Sequence, residues 1–239
     1  MEWRIILSGN PAEIEDLSQA LTDADVTIRR EGEEYVLMAA SLQSLQSADA
    51  VKAEAERLMA HLDGAAHLAL DVQTPIQLLR VACVKDDGTS CQFVWVTDSI
   101  RAMERFGLAT VCHDGQIEQH TPNQLMAGWL GLADDNENVA KALRLLGNRN
   151  MNWVDLYRLI EVVEHDVGGR DEIKKRGWAT TDDLGRFRHT ANSVAASGDN
   201  ARHGKEETQP PVRPMSLDEG RAFVEPVVRA WLQFRAQAT

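Results

Sequence analysis

The sequence lacks any stretch of the roughly 18 consecutive apolar residues that a membrane helix needs, so no membrane partner is expected. Its opening, MEWRIILSGNPAEIEDL, has no basic segment followed by a long apolar run. No export signal is therefore read there, and the cytoplasm is the expected location. Cysteine is scarce. Cys83, Cys91 and Cys112 are an odd set with no CxxC spacing, which excludes a disulfide framework and argues against zinc. They fall in strand-like segments and are expected to be small, reduced core residues. Walker loops, the dinucleotide-binding glycine fingerprint, a nucleophile elbow, an HExxH helix and an EF-hand loop are all missing. No cofactor and no metal are expected, and no internal repeat appears. What remains, 44% apolar and 26% charged residues over 239 positions, is the composition of a globular protein able to bury a core without staples.

The formal charge of −12 is unevenly spread. Residues 1 to 122 carry nine Lys and Arg against twenty Asp and Glu, a balance of −11, whereas residues 123 to 239 carry sixteen against seventeen. The first half repels a phosphate backbone and suits a basic protein partner or simple solubility; only the second half can meet nucleic acid.

The pattern along the chain predicts an α+β protein. Residues 1 to 121 form an acidic two-layer α/β sandwich with a mostly antiparallel sheet, and residues 122 to 239 form an all-α helical bundle. In the first half, Trp3–Leu7 reads as a strand, and Asn10-Pro11 opens a helix lined by Ile14, Leu17 and Leu21. Val26–Arg30 and Tyr35–Ala39 read as a hairpin around Glu31-Gly32-Glu33. Ser47–Leu62 reads as a helix and His67–Val72 as a strand. Gln77–Val84 with Cys91–Val96 reads as a second hairpin, followed by a short helix at Ser99–Phe106. Leu108–Cys112 and Gln116–Glu118 flank Asp114-Gly115, a hairpin signal. After Thr121-Pro122 the strand signals stop. Helices are read at Pro122–Leu132, Glu137–Leu146 and Asn152–Val167, the last with a stripe of Trp153, Leu156, Tyr157, Ile160 and Val163 expected to be core. Its carboxylates, Asp155, Glu161, Glu164 and Asp166, read mostly as a solvated face. Thr180 or Thr181 caps a further helix. Pro210, Pro211 and Pro214 mark a non-helical connection. Ser216 and Glu219 form a capping box for a last helix, which Pro226 should kink or split.

One stretch concentrates chemistry. From Gly185 to Lys205 the chain collects Arg186, Arg188, His189, Asn192, Ser193, Asp199, Asn200, Arg202, His203 and Lys205, with four basic residues against one acid. Arg170, Lys174, Lys175 and Arg176 lie just upstream. Arginine and lysine supply phosphate affinity, and a histidine near neutral pKa moves a proton, for example from a ribose hydroxyl. Two readings stand side by side. In one, Arg186, Arg188, His189, Asn192 and Lys205 bind RNA and Arg202 with His203 cleaves it. In the other, the polar residues satisfy turns and caps, and the arginines pair with acids on neighbouring helices.

Asp155-Leu156-Tyr157, Asn192-Ser193, Ala201-Arg202-His203-Gly204 and Pro214-Met215 together resemble the tail of a group of uncharacterised bacterial proteins. That tail is in turn similar to helical HEPN (nucleotide-binding) domains. The resemblance implies a bundle of four or five helices, often a homodimer. Many members are metal-independent ribonucleases of bacterial defence or toxin systems; others bind nucleic acid or protein without cutting. The family's catalytic signature places its Arg and His several residues apart, whereas Arg202 and His203 are adjacent and Arg186 lies three residues before His189. The expectation is an RNA-directed binding or ribonuclease module. Its rival is a non-catalytic binding or assembly subunit whose acidic half engages a basic partner.

Overall fold

The structure is a computed structural model that describes residues 2–21, 25–85, 90–94, 112–113, 116–117, 122–198, 201–202 and 209–237. It is α+β, as the pattern predicts. The chain divides into two compact units, Met1–Asp134 and Asp135–Thr239.

The first unit is built on a five-stranded antiparallel sheet of order β2-β3-β1-β4-β5. Its strands are β1 (Glu2–Ser8), β2 (Val26–Glu31), β3 (Glu34–Ala39), β4 (Gln77–Val84) and β5 (Ser90–Phe93). β1 lies in the middle of the order, and its apolar residues Trp3, Ile5, Ile6 and Leu7 are all buried. Helix α1 (Pro11–Ala20) starts where Asn10 Oδ1 accepts from Ala12 N at 3.0 Å, with proline at the first helical position, where no hydrogen bond is lost. It packs on β2. After β3 comes the one-turn helix α2 (Ala40–Gln43). The Gln43 amide acts as a short strand for β1, since Oε1 accepts from Trp3 N and Nε2 donates to Trp3 O, both at 2.8 Å.

Helix α3 (Ala48–Leu70) packs on β4 and is longer than expected. The strand anticipated at His67–Val72 does not form: residues 67–70 are the last helical turn, and Asp71 closes it in the left-handed conformation (φ 55°). The reason lies in the apolar stripe. Val51, Ala55, Leu58 and Leu62 continue at helical spacing into Ala65, Ala66 and Ala69, all buried, and alanine favours helix. Two buried carboxylates then hold the return to the sheet. Asp63 Oδ1 accepts from Ile76 N at 3.0 Å, and Glu13 accepts from Gln73 N and Thr74 N at 3.0 and 3.2 Å.

A two-residue ladder, β6 (Cys112–His113) with β7 (Gln116–Ile117), agrees with the hairpin read there, and α4 (Pro122–Asp135) follows. The helix expected at Ser99–Phe106 lies outside the described residues. Of the cysteines, Cys83 is buried as expected but Cys91 is exposed, on β5, which ends the strand order among the described residues and has all four residues open to solvent. Among the described residues no helix is long and apolar enough to cross a membrane.

The described elements of the second unit are helical: α5 (Glu137–Leu146), α6 (Trp153–Val167), α7 (Arg170–Lys175), α8 (Thr181–Asn192), the single turn α9 (Val194–Ser197) and α10 (Leu217–Gln237). Helix α6 is the hub and touches α5, α7, α8 and α10. It starts in a reciprocal capping box between Asn152 and Asp155 and ends at Gly168, whose φ of 91° suits glycine. Trp153, Leu156, Tyr157, Ile160 and Val163 are buried, as their spacing predicts. Helix α10 crosses α6 closely at Gly220, where a Cβ would lie 2.8 Å from Trp153 Cζ3. Pro226 does not split α10, which runs unbroken from Leu217 to Gln237.

Candidate functional site

The stretch singled out by its basic residues lies on α8, α9 and the segment after them, and α6 receives it. Phe187 is fully buried and touches the rings of Trp153 (5.9 Å), Tyr157 (6.2 Å) and Phe223 (5.3 Å). This aromatic contact fixes the rotation of α8 and decides where its neighbours point. Arg188, next in sequence, turns toward α6; His189 is exposed.

Two arginines converge on one ring. Arg188 Cζ lies 5.4 Å and Arg202 Cζ 4.2 Å from the Tyr157 centroid. Each also meets a carboxylate one or two helical turns further along α6. Arg188 donates to Glu164, with both side chains largely buried, and Arg202 Nη2 donates to Glu161 at 2.6 Å. Residue 202 is pinned by its backbone as well, since Arg202 N donates to Ala191 O at 2.8 Å. Burial pushes the Glu164 carboxyl above the usual range; Arg188 and Arg170 pull it down, and Glu161 adds to the rise. Among the described residues, Glu164 Oε1, Arg188 Nε and Asn192 Oδ1 are buried polar atoms without a hydrogen-bond partner.

The third arginine serves elsewhere. Arg186 Nε donates to Arg213 O at 2.7 Å and Nη2 to Pro214 O at 3.3 Å, and the guanidinium pairs with Glu219. It ties the proline-rich connection to α8 and to the start of α10. Fully buried Thr190 does the same one turn on, accepting from Met215 N at 3.1 Å while donating to Arg186 O at 2.9 Å. Ser216 and Glu219 form the expected box, with reciprocal bonds of 2.7 and 3.1 Å.

Of the upstream cations, the two lysines are paired close to home. Lys174 meets Asp171 at 2.6 Å and Lys175 meets Glu172 at 2.7 Å, while Arg176 lies 4.0 Å over the Phe234 ring. His203, Lys205, Asp199 and Asn200 lie outside the described residues. The structure thus brings Arg188 and Arg202 together, sends Arg186 to the connection, and leaves His189 exposed on α8.

Of the carboxylates of α6, Glu161 stays partly exposed, but the other three are not the solvated face that their spacing suggested. Asp155 caps the helix, and Glu164 is largely buried against Arg188. Asp166, whose side chain is 4% exposed, accepts from Trp231 Nε1 (2.7 Å), Arg235 Nε (2.5 Å) and Asn138 Nδ2 (3.2 Å). Burial pushes the Asp166 carboxyl up, but these donors outweigh it and hold the group below its ordinary value. Periodicity could not reveal this, because the partners sit 24 to 69 residues away in sequence. Beside the cluster, a surface groove of about 310 Å³ is lined by Asn138, Lys141, Arg158, Glu161 and His165. Its residues, split between α5 and α6, carry no sequence motif. Among the described residues no three His, Cys, Asp or Glu side chains gather to hold a metal.

Chemically, the cluster is a set of charge-assisted clamps over an aromatic floor. Guanidinium groups that already face carboxylates have little attraction left for a phosphate. Compared with known proteins, the chain matches no family model, no curated protein and no solved structure.

Proposed function

We propose that this chain is a non-catalytic binding or assembly protein, with an acidic N-terminal half that engages a basic protein partner and a C-terminal HEPN-like bundle that acts as scaffold. One observation carries this reading: Arg186, Arg188 and Arg202, the three arginines of the basic stretch, each meet an acid within the second unit. The two-layer arrangement of the N-terminal half belongs to the same proposal, in line with α1 and α3 packing on the sheet. The balance of −11 over residues 1 to 122 is what attracts a cationic surface.

A specific observation favours a second reading, RNA binding or metal-independent cleavage. Arg188 and Arg202 do converge on one ring, His203 follows directly in sequence, and Lys141, Arg158 and His165 face a neighbouring groove. In that reading Arg202 and His203 are the catalytic pair.

The test uses affinity capture from the host lysate at low salt, with wild type beside a Glu33→Lys/Asp49→Lys variant. Both positions are exposed, on the β2–β3 turn and on α3. The proposal expects a protein of basic surface that wild type retains and the charge-reversed protein loses. Retention of RNA, unchanged in the variant, supports the second reading instead.

A further inference from the structure

Antiparallel register sets two of the three cysteines opposite one another. In the β4–β5 ladder Cys83 is the direct partner of Cys91, between the pairs Ala82↔Gln92 and Val84↔Ser90. Directly opposed residues point to the same face of a sheet. Side-chain contacts agree: Trp3 stands opposite Cys83 across the β1–β4 ladder, and its ring lies 6.1 Å from that of Phe93, two residues beyond Cys91 on β5. Trp3, Cys83 and Cys91 therefore form one row on one face. We propose that Cys83 and Cys91 are a peroxide-responsive dithiol that closes into a reversible cross-strand disulfide.

The geometry permits the bond. Opposed residues of antiparallel strands have Cα atoms about 4.5 or 5.5 Å apart, and disulfides span about 4.4 to 6.8 Å. The Cβ atoms need to approach by roughly an ångström or less. β5 is the strand that can supply the shift, because its four residues are exposed and, among the described residues, β4 is its one ladder partner. Cys83 belongs to the rigid side, at 4% exposure next to buried Trp3.

Exposure sets the order of events. A hydroperoxide meets exposed Cys91 first. The Cys91 thiolate attacks the outer peroxide oxygen, the O–O bond breaks, and the leaving oxygen takes up a proton, giving Cys91 sulfenic acid and an alcohol or water. The Cys83 sulfur then attacks the sulfenic sulfur; the S–S bond forms, and hydroxide leaves with the Cys83 proton as water. Two thiols lose two electrons to one peroxide. A thiol reductant reverses the step by exchange, entering at the exposed Cys91 sulfur.

Peptide mapping tests this directly. Trypsin cuts after Arg80, Lys85 and Arg101, so Cys83 leaves on residues 81–85 and Cys91 on residues 86–101, while Cys112 leaves on residues 106–141. The full chain is treated with stoichiometric hydrogen peroxide, alkylated and digested without reductant. The expected product is the 81–85/86–101 pair lighter by two hydrogens, from monomeric protein, lost with dithiothreitol and retained in Cys112→Ser. In Cys83→Ala the reaction should stop at a Cys91 sulfenic acid that dimedone traps. Cys91→Ser should give no linked pair while its circular dichroism stays that of wild type. Accumulation of Cys91 sulfinic acid, or a Cys91 disulfide to Cys112 or to a second chain with Cys83 still alkylated, overturns the proposal.

Discussion

Truncating Arg188 to alanine should destabilise the C-terminal unit far more than its place in a basic stretch would suggest. Its guanidinium faces Glu164, and the side chains are 17% and 15% exposed. Removing one member of a fully buried pair costs about 3–5 kcal/mol because the other charge is stranded; residual solvent contact here brings the expectation to about 2–4 kcal/mol. Against a total stability of about 5–15 kcal/mol that loss is large. Removing both charges, as Arg188→Met/Glu164→Gln, should cost about 1 kcal/mol or less, since no charge is stranded. The cycle should then show coupling of roughly 1–3 kcal/mol.

The pH dependence adds an independent sign. Glu164 has a folded-state pKa raised chiefly by burial, so folding favours its protonated form. Its contribution to stability is present at acid pH and is lost as pH rises from the ordinary glutamate value through the raised one. Arg188 counters that rise, so its removal pushes the carboxyl further up. The deficit of Arg188→Ala should therefore be smaller near about pH 4.5 than near about pH 7.5. Urea unfolding followed by tryptophan fluorescence at both pH values measures it. A variant within about 0.5 kcal/mol of wild type at both would refute the reasoning, because that is the behaviour of a free surface arginine.

Other perturbations follow from the same contacts. Arg202→Ala should cost only about 1–2 kcal/mol, as its pair with Glu161 is 29% and 41% exposed and its stacking on Tyr157 adds a comparable small amount; urea midpoints report it. Asp166→Ala should cost about 2–4 kcal/mol, because buried Trp231 Nε1 loses its acceptor and Arg235 loses its carboxylate while keeping its bond to the Asp166 carbonyl. Since the Asp166 pKa is lowered on folding, its stabilisation is complete above the unfolded aspartate value and is lost as pH falls through the folded one, so the wild-type to Asp166→Ala gap should narrow in acid. Gly220→Ala should lose about 1–3 kcal/mol in thermal unfolding, because the new methyl meets Trp153 Cζ3 at 2.8 Å.

Local features of this fold were legible because they depend on neighbours in sequence. The β2–β3 hairpin follows from alternation around Gly32, and the starts of α1, α6, α8 and α10 follow from Asn10, Asn152, Thr180 and Ser216. The end of α3 was misread because His67–Val72 is apolar enough for either a strand or a helix, and only continuity with the preceding stripe decides for helix. Short α7 was missed, since its start at Gly169 has no side-chain cap to announce it. The candidate site was half legible. Composition found Arg188 and Arg202, but their acceptors on α6 lie 24 and 41 residues away, and a face of carboxylates looks solvated until its partners are placed. The opposition of Cys83 and Cys91 was implicit in the second hairpin, but the exposure of Cys91 was not, since alternation does not tell an open strand from a covered one.

The central claim is that the arginines of the basic stretch hold the helices together and do not bind phosphate. Titrating a fluorescent single-stranded RNA with the wild-type chain, at low salt and in EDTA, tests it most directly. The account predicts no saturable rise in anisotropy and an intact RNA after incubation. Saturable, salt-sensitive binding or cleavage that disappears in folded Arg202→Ala and His203→Ala proteins would contradict it.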